Sequence, residues 1–477
     1  MPRLLPLLTL GLAISGCSLA PEYQRPTAPI PDQWQLGGAN RAVTEQQTDW
    51  QQFVVDPGQR ALVRQALSNN RSLRQTLLDM EAARAQYGIQ HADRMPNIGL
   101  DASGQRQRMP ADVSTSSGAE TQSQYQVGLG LAAFELDLFG RVRNLSEAAL
   151  QSYLASEQAT QSARISLIAD VVAASLQRAG SRRQLAIAEE TLAARNASLE
   201  LIGLLRTTGA ADELDYQQAL AEQQAVVAQI EQLGRAVAQA ENALRLLTGA
   251  QQLGSLPPLT AEPLQLGSLA PGAPSSLLEA RPDIRAAEHQ LLARQANIGA
   301  ARAAFFPRVS LTGALGNTSS DLSNLFNSGQ NSWAFSPQLT LPLFDGGRNR
   351  AALDLAVARR DAAVAAYEER IQVAFREVSD ALAATDTLAR ESEALKRRST
   401  ASQRALELAQ TRYMSGATDY FRVLDTQQSE LQARLAHVQV QTRQQLALTN
   451  LFRALGGSWQ STRQPRSAPV QQVISQR

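Results

Sequence analysis

The stretch LDLFGRVRN at residues 136–144 recurs in altered form as LPLFDGGRN at residues 341–349. Each copy follows an alternating, strand-like segment and precedes a long segment rich in Ala, Gln and Arg. Self-similarity at a fixed spacing indicates an internal repeat, so the chain is predicted to be a duplication. Further pairs recur in the same order about 205 to 211 residues apart: Pro96 with Pro307, Gly209 with Gly416, and Leu247-Thr248-Gly249 with Leu455-Gly456-Gly457.

The duplication sets the predicted organisation of the chain. The first repeat covers residues 61–250 and the second residues 281–457, and each holds a helix, two strands and a helical hairpin. A Pro-, Gly- and Leu-rich linker, residues 251–280, joins them. Residues 458–477 form a C-terminal tail rich in Gln, Ser and Arg.

The strand signals come directly after the helices that we expect Pro96 and Pro307 to end. Apolar residues alternate there with Gly, Ser, Gln and Thr, as in a membrane barrel with a polar lumen, although a soluble β-hairpin alternates in the same way. Four strands cannot close a barrel, and an open edge in lipid costs several kcal/mol for each unpaired backbone group. Three copies would supply twelve strands. The predicted strands are residues 97–109, 124–137, 308–317 and 333–344.

The remaining part of each repeat predicts a long helical hairpin, at residues 141–248 and 347–456. A helix of roughly 65 residues reaches about 100 Å, which suits a supercoiled assembly better than a globular domain. Val357, Val364 and Ile371 show the seven-residue spacing of a packed seam. A coiled-coil spacer without a channel would have the same pattern.

The N-terminus predicts export. Arg3 and an apolar run too short to span a bilayer mark residues 1–16 as a signal peptide. Ile14-Ser15-Gly16-Cys17 resembles a bacterial lipobox, which implies that Cys17 carries S-diacylglycerol and N-palmitoyl groups and begins a lipid-anchored segment, residues 17–60. The alternative is a cysteine discarded with the signal peptide. Cys17 is the only cysteine, so no disulfide can form within the chain.

Composition excludes several functions. A formal net charge of +1 gives no field that would attract nucleic acid. His91, His289 and His437 lie far apart, and no metal-binding, nucleotide-binding or hydrolase motif occurs. We therefore expect no enzyme activity, no catalytic residue, no metal and no cofactor other than the covalent lipid.

Five local motifs stand out beside the lipobox and the duplication. They are Asn69-Asn70-Arg71-Ser72-Leu73-Arg74, Phe134-Glu135-Leu136-Asp137-Leu138-Phe139-Gly140-Arg141, Arg281-Pro282-Asp283-Ile284, Ala300-Ala301-Arg302-Ala303-Ala304-Phe305-Phe306-Pro307 and Leu451-Phe452-Arg453-Ala454-Leu455-Gly456-Gly457. Together these features resemble the TolC-like outer-membrane efflux factors, in the lipoprotein branch (NodT-type, OprM-like) that serves resistance-nodulation-division (RND) multidrug pumps. The resemblance runs from Cys17 to about Trp459.

The resemblance implies a mainly α fold with a membrane β-barrel: a homotrimer of four strands and two long hairpins per subunit, giving a 12-stranded barrel and an α-helical tunnel. Residues 17–60 and 251–280 would form an equatorial region. The implied setting is the outer membrane and its lipids, with the tunnel extending into the periplasm. The implied partners are a periplasmic adaptor and an inner-membrane RND transporter, from which such channels passively conduct drugs outward.

The resemblance also implies a periplasmic gate at the hairpin tips marked by Gly209 and Gly416. An aliphatic residue and an aspartate close the tunnel in this family, and Phe421 and Asp425 match those positions. Arg422 stands where a relative has a second aspartate, and it could pair with Asp425 or with Asp215. Three aspartates around one axis would repel one another and favour cations. The alternative for Asp425 is a solvated helix-end charge.

Rival classes remain open at this point. A periplasmic adaptor is also a lipoprotein with a coiled-coil hairpin, but it normally carries one hairpin. A structural tether would conduct no ions. An enzyme has no supporting motif.

Overall fold

The computed structural model describes residues 19–31, 49–110, 112, 119–250, 265–267, 269 and 277–457. The chain divides into two compact units. The sheet unit comprises Met1–Thr27, Asp79–Glu157 and Ala286–Glu368. The hairpin unit comprises Ala28–Leu78, Gln158–Arg285 and Glu369–Arg477. Cys17, most of the linker and the predicted tail, residues 458–477, lie outside the described residues.

Four strands form one antiparallel sheet in the order β1-β2-β3-β4. Directly opposed residues lie on one face, so the register sorts the side chains into an apolar face, with the row Leu100–Leu129–Leu315–Trp333, and a polar one. Because β1 and β4 are edge strands, neither lateral edge of this sheet has a neighbouring strand among the described residues. The strands are β1 (Ile98–Met109), β2 (Glu120–Leu136), β3 (Arg308–Ser319) and β4 (Asn331–Thr340).

The strand ends differ from the sequence predictions. The predicted strand 124–137 begins earlier, at Glu120, because its partner β1 continues to Met109. The predicted strand 308–317 extends to Ser319, and 97–109 starts at Ile98. The prediction of 333–344 is wrong at its C-terminal end, since β4 stops at Thr340.

β4 stops early because Thr340 pairs with Arg308, the first residue of β3. A turn around Asp345 then leads into the helix. Pro342 has no N–H to donate to a strand partner. The Asp345 carboxylate accepts hydrogen bonds from the N–H groups of Gly347 and Asn349, both at 2.9 Å. Gly347 has a positive φ of 89°, so the helix begins at Arg348 and not at the predicted residue 347.

Helices precede and follow each strand pair. In chain order they are α1 (Trp50–Phe53), α2 (Pro57–Asn69), α3 (Arg71–Ala92), α4 (Arg141–Thr207), α5 (Glu213–Thr248), α6 (Leu277–Ala280), α7 (Pro282–Ala303), α8 (Arg348–Met414) and α9 (Tyr420–Ala454). Helices α4 and α8 have 67 residues each. In the part of the chain that the structure describes, the helices lack the uninterrupted apolar length that a membrane crossing requires.

Helices α3 and α7 end four residues before Pro96 and Pro307, earlier than predicted. Both helices end in hydrogen bonds that span three residues, as in a 3₁₀-helix. Met95 N–H donates to the Ala92 carbonyl at 2.9 Å, and Phe306 N–H donates to the Ala303 carbonyl at 3.1 Å. A proline disfavours helical backbone angles at the residue before it. A single 3₁₀-like turn therefore lies between each α-helix and its proline.

The hairpin unit has its main core where α1 and α2 pack on α4, α5 and α9. Phe53 and Phe452 stack with their ring centroids 4.5 Å apart. Val54 pairs with Leu266 of the linker, and Gly267 N–H donates to the Phe53 carbonyl at 2.8 Å. The predicted start of the first repeat, residue 61, lies inside α2, which runs from its cap at Asp56 to Asn69.

Candidate functional site

The two hairpin tips have the same backbone. Each has a glycine with positive φ, 76° at Gly209 and 73° at Gly416, and an aspartate three residues later that caps the returning helix. Left-handed φ values favour glycine, so both positions need it. Two bonds in each turn form a Schellman motif: Ala210 N–H to Leu205 O (2.8 Å) and Gly209 N–H to Arg206 O (3.1 Å), then Ala417 N–H to Arg412 O (2.8 Å) and Gly416 N–H to Tyr413 O (2.9 Å).

The predicted gate residues lie just after the second turn. Phe421 is 58% exposed in the single subunit. Arg422 Nη1 lies 3.4 Å from Asp425 Oδ2, so Asp425 is the partner found among the described ion pairs, rather than Asp215. Asp215 occupies the matching place in the first turn, where its N–H donates to Asp212 at 2.8 Å. The corresponding bond in the second turn runs from Arg422 N–H to Asp419 at 3.1 Å.

The first tip has a cross-helix contact. Arg206 near the end of α4 pairs with Glu213 at the start of α5, with 2.7 Å between Nη1 and Oε2. The same guanidinium lies 4.2 Å from the centroid of the Tyr216 ring. Hydrogen bonds from Gln217 and Arg206 lower the pKa of Glu213. At the matching place in the second tip, the rings of Tyr413 and Tyr420 lie 5.5 Å apart.

The two tips pack on each other inside the hairpin unit. Tyr420 is buried there, and burial raises the pKa of its hydroxyl. Ion pairs between the hairpins lie further along, such as Arg434 to Glu190 at 2.7 Å. The packed cluster consists of Ile202, Ala219, Ala409, Tyr420, Val423 and Leu424.

Sequence reasoning missed a buried cation near this cluster. Arg195 is only 2% exposed and lies 3.5 Å from Glu222 Oε2, and its guanidinium has no hydrogen bond among the described residues. Burial lowers the pKa of this arginine, against the opposing charge of Glu222. Nothing in the local sequence distinguishes Arg195 from the many solvated arginines, because its burial comes from packing between helices.

The far ends of the hairpins carry a second contact that the sequence indicated only as a motif. Arg281 donates two hydrogen bonds to Asp283, at 2.7 and 3.0 Å, and one to the Ala454 carbonyl at 2.8 Å. Glu377 also lies 2.8 Å from Arg281. Burial opposes ionisation of Asp283, but the paired guanidinium outweighs it and lowers the pKa of that carboxyl. This contact fastens the end of α9 to the start of α7.

The LDLFGRVRN stretch, residues 136–144, joins strand to helix in the sheet unit. Glu135, at the end of β2, pairs with Arg141 at the start of α4 (2.7 Å) and with Arg308 at the start of β3 (3.2 Å). Asp137 accepts from Arg143 N–H at 2.7 Å. The strand-to-helix turn is therefore held by charge as well as by Gly140, whose φ is 75°.

The described residues contain no group of three or more His, Cys, Asp or Glu that could hold a metal ion. What the described residues do form is a sheet with one apolar and one polar face, and two long helical hairpins with matched turns. These features define a subunit of an outer-membrane channel.

Comparison with known proteins gives the family. The family model described as outer membrane efflux protein matches residues 62–250 and 273–457. Outer membrane protein OprJ of Pseudomonas aeruginosa is 53% identical over 459 residues, covering 96% of each chain. A crystal structure of a membrane protein from Pseudomonas aeruginosa has 53% identity and a TM-score of 0.88, covering 93% of this chain and 98% of that one. The open-state structure of the Neisseria gonorrhoeae MtrE outer membrane channel has 37% identity and a TM-score of 0.84, covering 92% and 98%.

The chain belongs to the outer membrane efflux protein family. It is an efflux channel protein of the outer membrane, and the family is one of transport components rather than enzymes. The two matched ranges coincide closely with the two repeats that the sequence predicts.

Proposed function

We propose that the chain forms a homotrimer that serves as the outer-membrane exit of a tripartite RND multidrug efflux system, without enzymatic activity of its own. One observation carries the proposal: a sheet of only four strands has an apolar outer face and two open edges. Unpaired edge groups in lipid cost several kcal/mol each, so β1 of one copy must pair with β4 of the next. Three copies give a closed barrel of twelve strands.

The hairpins supply the proposed periplasmic part. Two hairpins per subunit argue against an adaptor, which normally has one. In this arrangement a periplasmic adaptor contacts the hairpin tips, and an inner-membrane RND transporter delivers drugs to the channel. The channel itself is passive in this proposal.

Imaging and conductance test the assembly together. Purified protein in detergent should give projection images of a threefold cylinder, and it should conduct ions in a planar bilayer. A monomer, or a trimer that conducts no ions under any condition, would contradict the channel assignment.

We also propose that Cys17 carries the lipid anchor. The segment that follows it lies along α7 in the sheet unit. Burial opposes ionisation of Glu288, but bonds from Arg25 and Tyr23 outweigh it and lower its pKa. The contacts are Arg302 to Leu19 O (3.1 Å), Gln295 to Pro21 O (2.9 Å), Tyr23 to Glu288 (3.0 Å) and Arg25 to Glu288 (2.6 and 2.8 Å). In cells grown with alkyne-palmitate, the wild-type protein should become labelled and the Cys17→Ala protein should not. Equal labelling of the two proteins would exclude acylation at Cys17.

The proposed gate consists of Phe421 and Asp425, with Arg422 and Asp215 as flanking charges. Its support is the exposure of Phe421 and the Arg422–Asp425 pair beside a turn with no cross-helix charge contact among the described residues. Asp425→Ala removes this ion pair in every subunit and takes three carboxylates, one per subunit, out of the aperture. We therefore expect a several-fold rise in the conductance of the closed trimer.

The matched control is Asp386→Ala, which removes an exposed carboxylate paired with Arg390 on the same hairpin. It should leave the conductance of the closed trimer unchanged. Equal conductance in wild type and Asp425→Ala would refute the gate assignment while leaving the channel assignment intact.

A further inference from the structure

Arg106 and Arg108 are the only charged residues on the apolar face of the four strands. The register places them there, since Arg106 opposes Ser123 and Arg108 opposes Thr121, in line with Leu100 opposite Leu129. Both side chains are exposed in the single subunit. The charged residues Asp101, Glu120, Glu135 and Arg308 all fall on the polar face. The two arginines therefore share their face with no carboxylate.

Their height along the strand identifies the environment. Strand residues advance about 3.4 Å each, and barrel strands tilt by about 40°. Starting from Ile98 at the helix end of β1, Arg106 lies about 21 Å along the membrane normal and Arg108 about 26 Å. The apolar band of an outer-membrane barrel is about 25 Å tall. The arginines thus reach the far boundary of the band while Ile98 lies at the near one.

An aromatic residue marks the same boundary. Tyr125 opposes Gly104, one row below Arg106 on the same face, and tyrosine is enriched where apolar chains meet headgroups. The helices continue from the other end of the sheet, so in the channel proposed above the arginine end is the external one. The external leaflet of an outer membrane presents phosphorylated glycolipid.

We propose that Arg106 and Arg108 bind phosphate groups of outer-leaflet lipid A, once per subunit, at the seam where β1 meets the neighbouring β4. Arginine suits this role because its planar guanidinium donates paired hydrogen bonds to phosphate oxygens. β4 carries no acidic residue along its length, so nothing on the neighbouring strand repels the phosphates. The inference rests on the proposed trimeric channel.

The wild type alone provides the first test. Trimers are placed in nanodiscs that contain either diphosphorylated lipid A or lipid A stripped of its phosphates, and the lipid retained per trimer is measured by native mass spectrometry. The trimer should retain the phosphorylated form preferentially. Equal retention of the two forms would overturn the proposal. Excess inorganic phosphate in lipid-free detergent should not raise the melting temperature; stabilisation by free phosphate without retention of lipid A would identify a soluble anion as the ligand instead.

A matched pair of variants tests the face. Residues 105–108 read QRQR, so Arg106→Gln with Arg108→Gln removes both charges, whereas exchanging them to RQRQ keeps composition and charge but turns the arginines toward the lumen. Each basic residue near an anionic surface contributes about fivefold in affinity, so both variants should lose about 25-fold in affinity for lipid A. Wild-type retention by the exchanged variant would overturn the proposal.

Conductance measurements distinguish a failure of the lipid A site from a failure of the channel assignment. The charge-removing variant should conduct ions as the wild type does. The exchanged variant should still form conducting trimers, which shows that it assembles, although its lumen arginines change the size of the current. If the wild-type trimer conducts ions but both variants bind lipid A as tightly as the wild type, only the lipid A site is wrong. If no conducting trimer forms from the wild type, the channel assignment itself fails.

Discussion

The two halves of the chain form the same hairpin but make different contacts at two matched places, the tip and the base, where the returning helix ends beside the start of its own repeat. In the first half the tip is held by Arg206 and Glu213, and the base by a neutral amide, Asn70 to the Leu247 carbonyl at 2.9 Å. In the second half the base carries the charged contact of Arg281, and the tip has no cross-helix ion pair among the described residues. After duplication, one backbone has thus been stabilised in two ways at these matched places.

The largest expected effect is at the second base. Arg281→Ala removes one partner of a buried ion pair, and such a change costs about 3–5 kcal/mol. Asn70→Ala at the first base loses buried hydrogen bonds between neutral groups and should cost about 1–2 kcal/mol. Thermal unfolding of both variants, followed by circular dichroism, compares the two. Equal losses would show that the charged and neutral bases are equivalent.

Acid should weaken the second base selectively. The pKa of Asp283 is lowered from 3.8 in the folded protein, so its pairing stabilises the fold above pH about 4 and is lost as the pH falls through the lowered pKa. The stability gap between wild type and Asp283→Asn should therefore be widest near neutral pH and narrow below about pH 4. A gap that does not change with pH would mean that ionisation of Asp283 does not contribute.

The two tips should respond alike to a change in backbone. Gly209→Ala and Gly416→Ala each force a side chain into left-handed φ, at a cost of about 1–2 kcal/mol. Hydrogen exchange at Ala210 and Ala417 measures the loss in each turn. Gly234→Ala in α5 is the control: a Cβ there meets nothing within 4 Å, and the change should stabilise. A marked difference between the tips would refute their shared geometry.

The smallest effect separates the tips by charge. Arg206→Gln removes the contact over the Tyr216 ring, worth about 0.5–1 kcal/mol at an exposed site. Arg422→Gln removes an ion pair within one helix, worth about 0.2–0.5 kcal/mol. Amide hydrogen exchange should accelerate more in the first tip of Arg206→Gln than in the second tip of Arg422→Gln. The reverse order would assign the tighter tip to the second hairpin.

Sequence reasoning reached the plan of the molecule because the duplication doubled each signal. Strands, hairpins and the turn glycines were all visible as pairs, and the family comparison confirms the membership that the motifs implied. Element ends were less accurate. The stop at Thr340 depends on where its partner β3 begins, and the early ends of α3 and α7 depend on a turn that no single residue specifies.

The contacts of the site were harder to predict than the site itself. Arg281 was recognised as part of a motif, yet its bond to the Ala454 carbonyl joins residues far apart in sequence. The burial of Arg195 is likewise set by three-dimensional packing, which single-sequence patterns do not contain.

The stacking of Phe53 on Phe452 has a consequence for biogenesis. Its two rings come from opposite ends of the chain, so the core of the hairpin unit stays unfinished until almost the whole polypeptide has been exported. Contacts between distant residues form slowly, and incomplete cores expose apolar surface. We therefore expect the newly exported chain to need a holding chaperone, and subunits to associate only after translocation is complete.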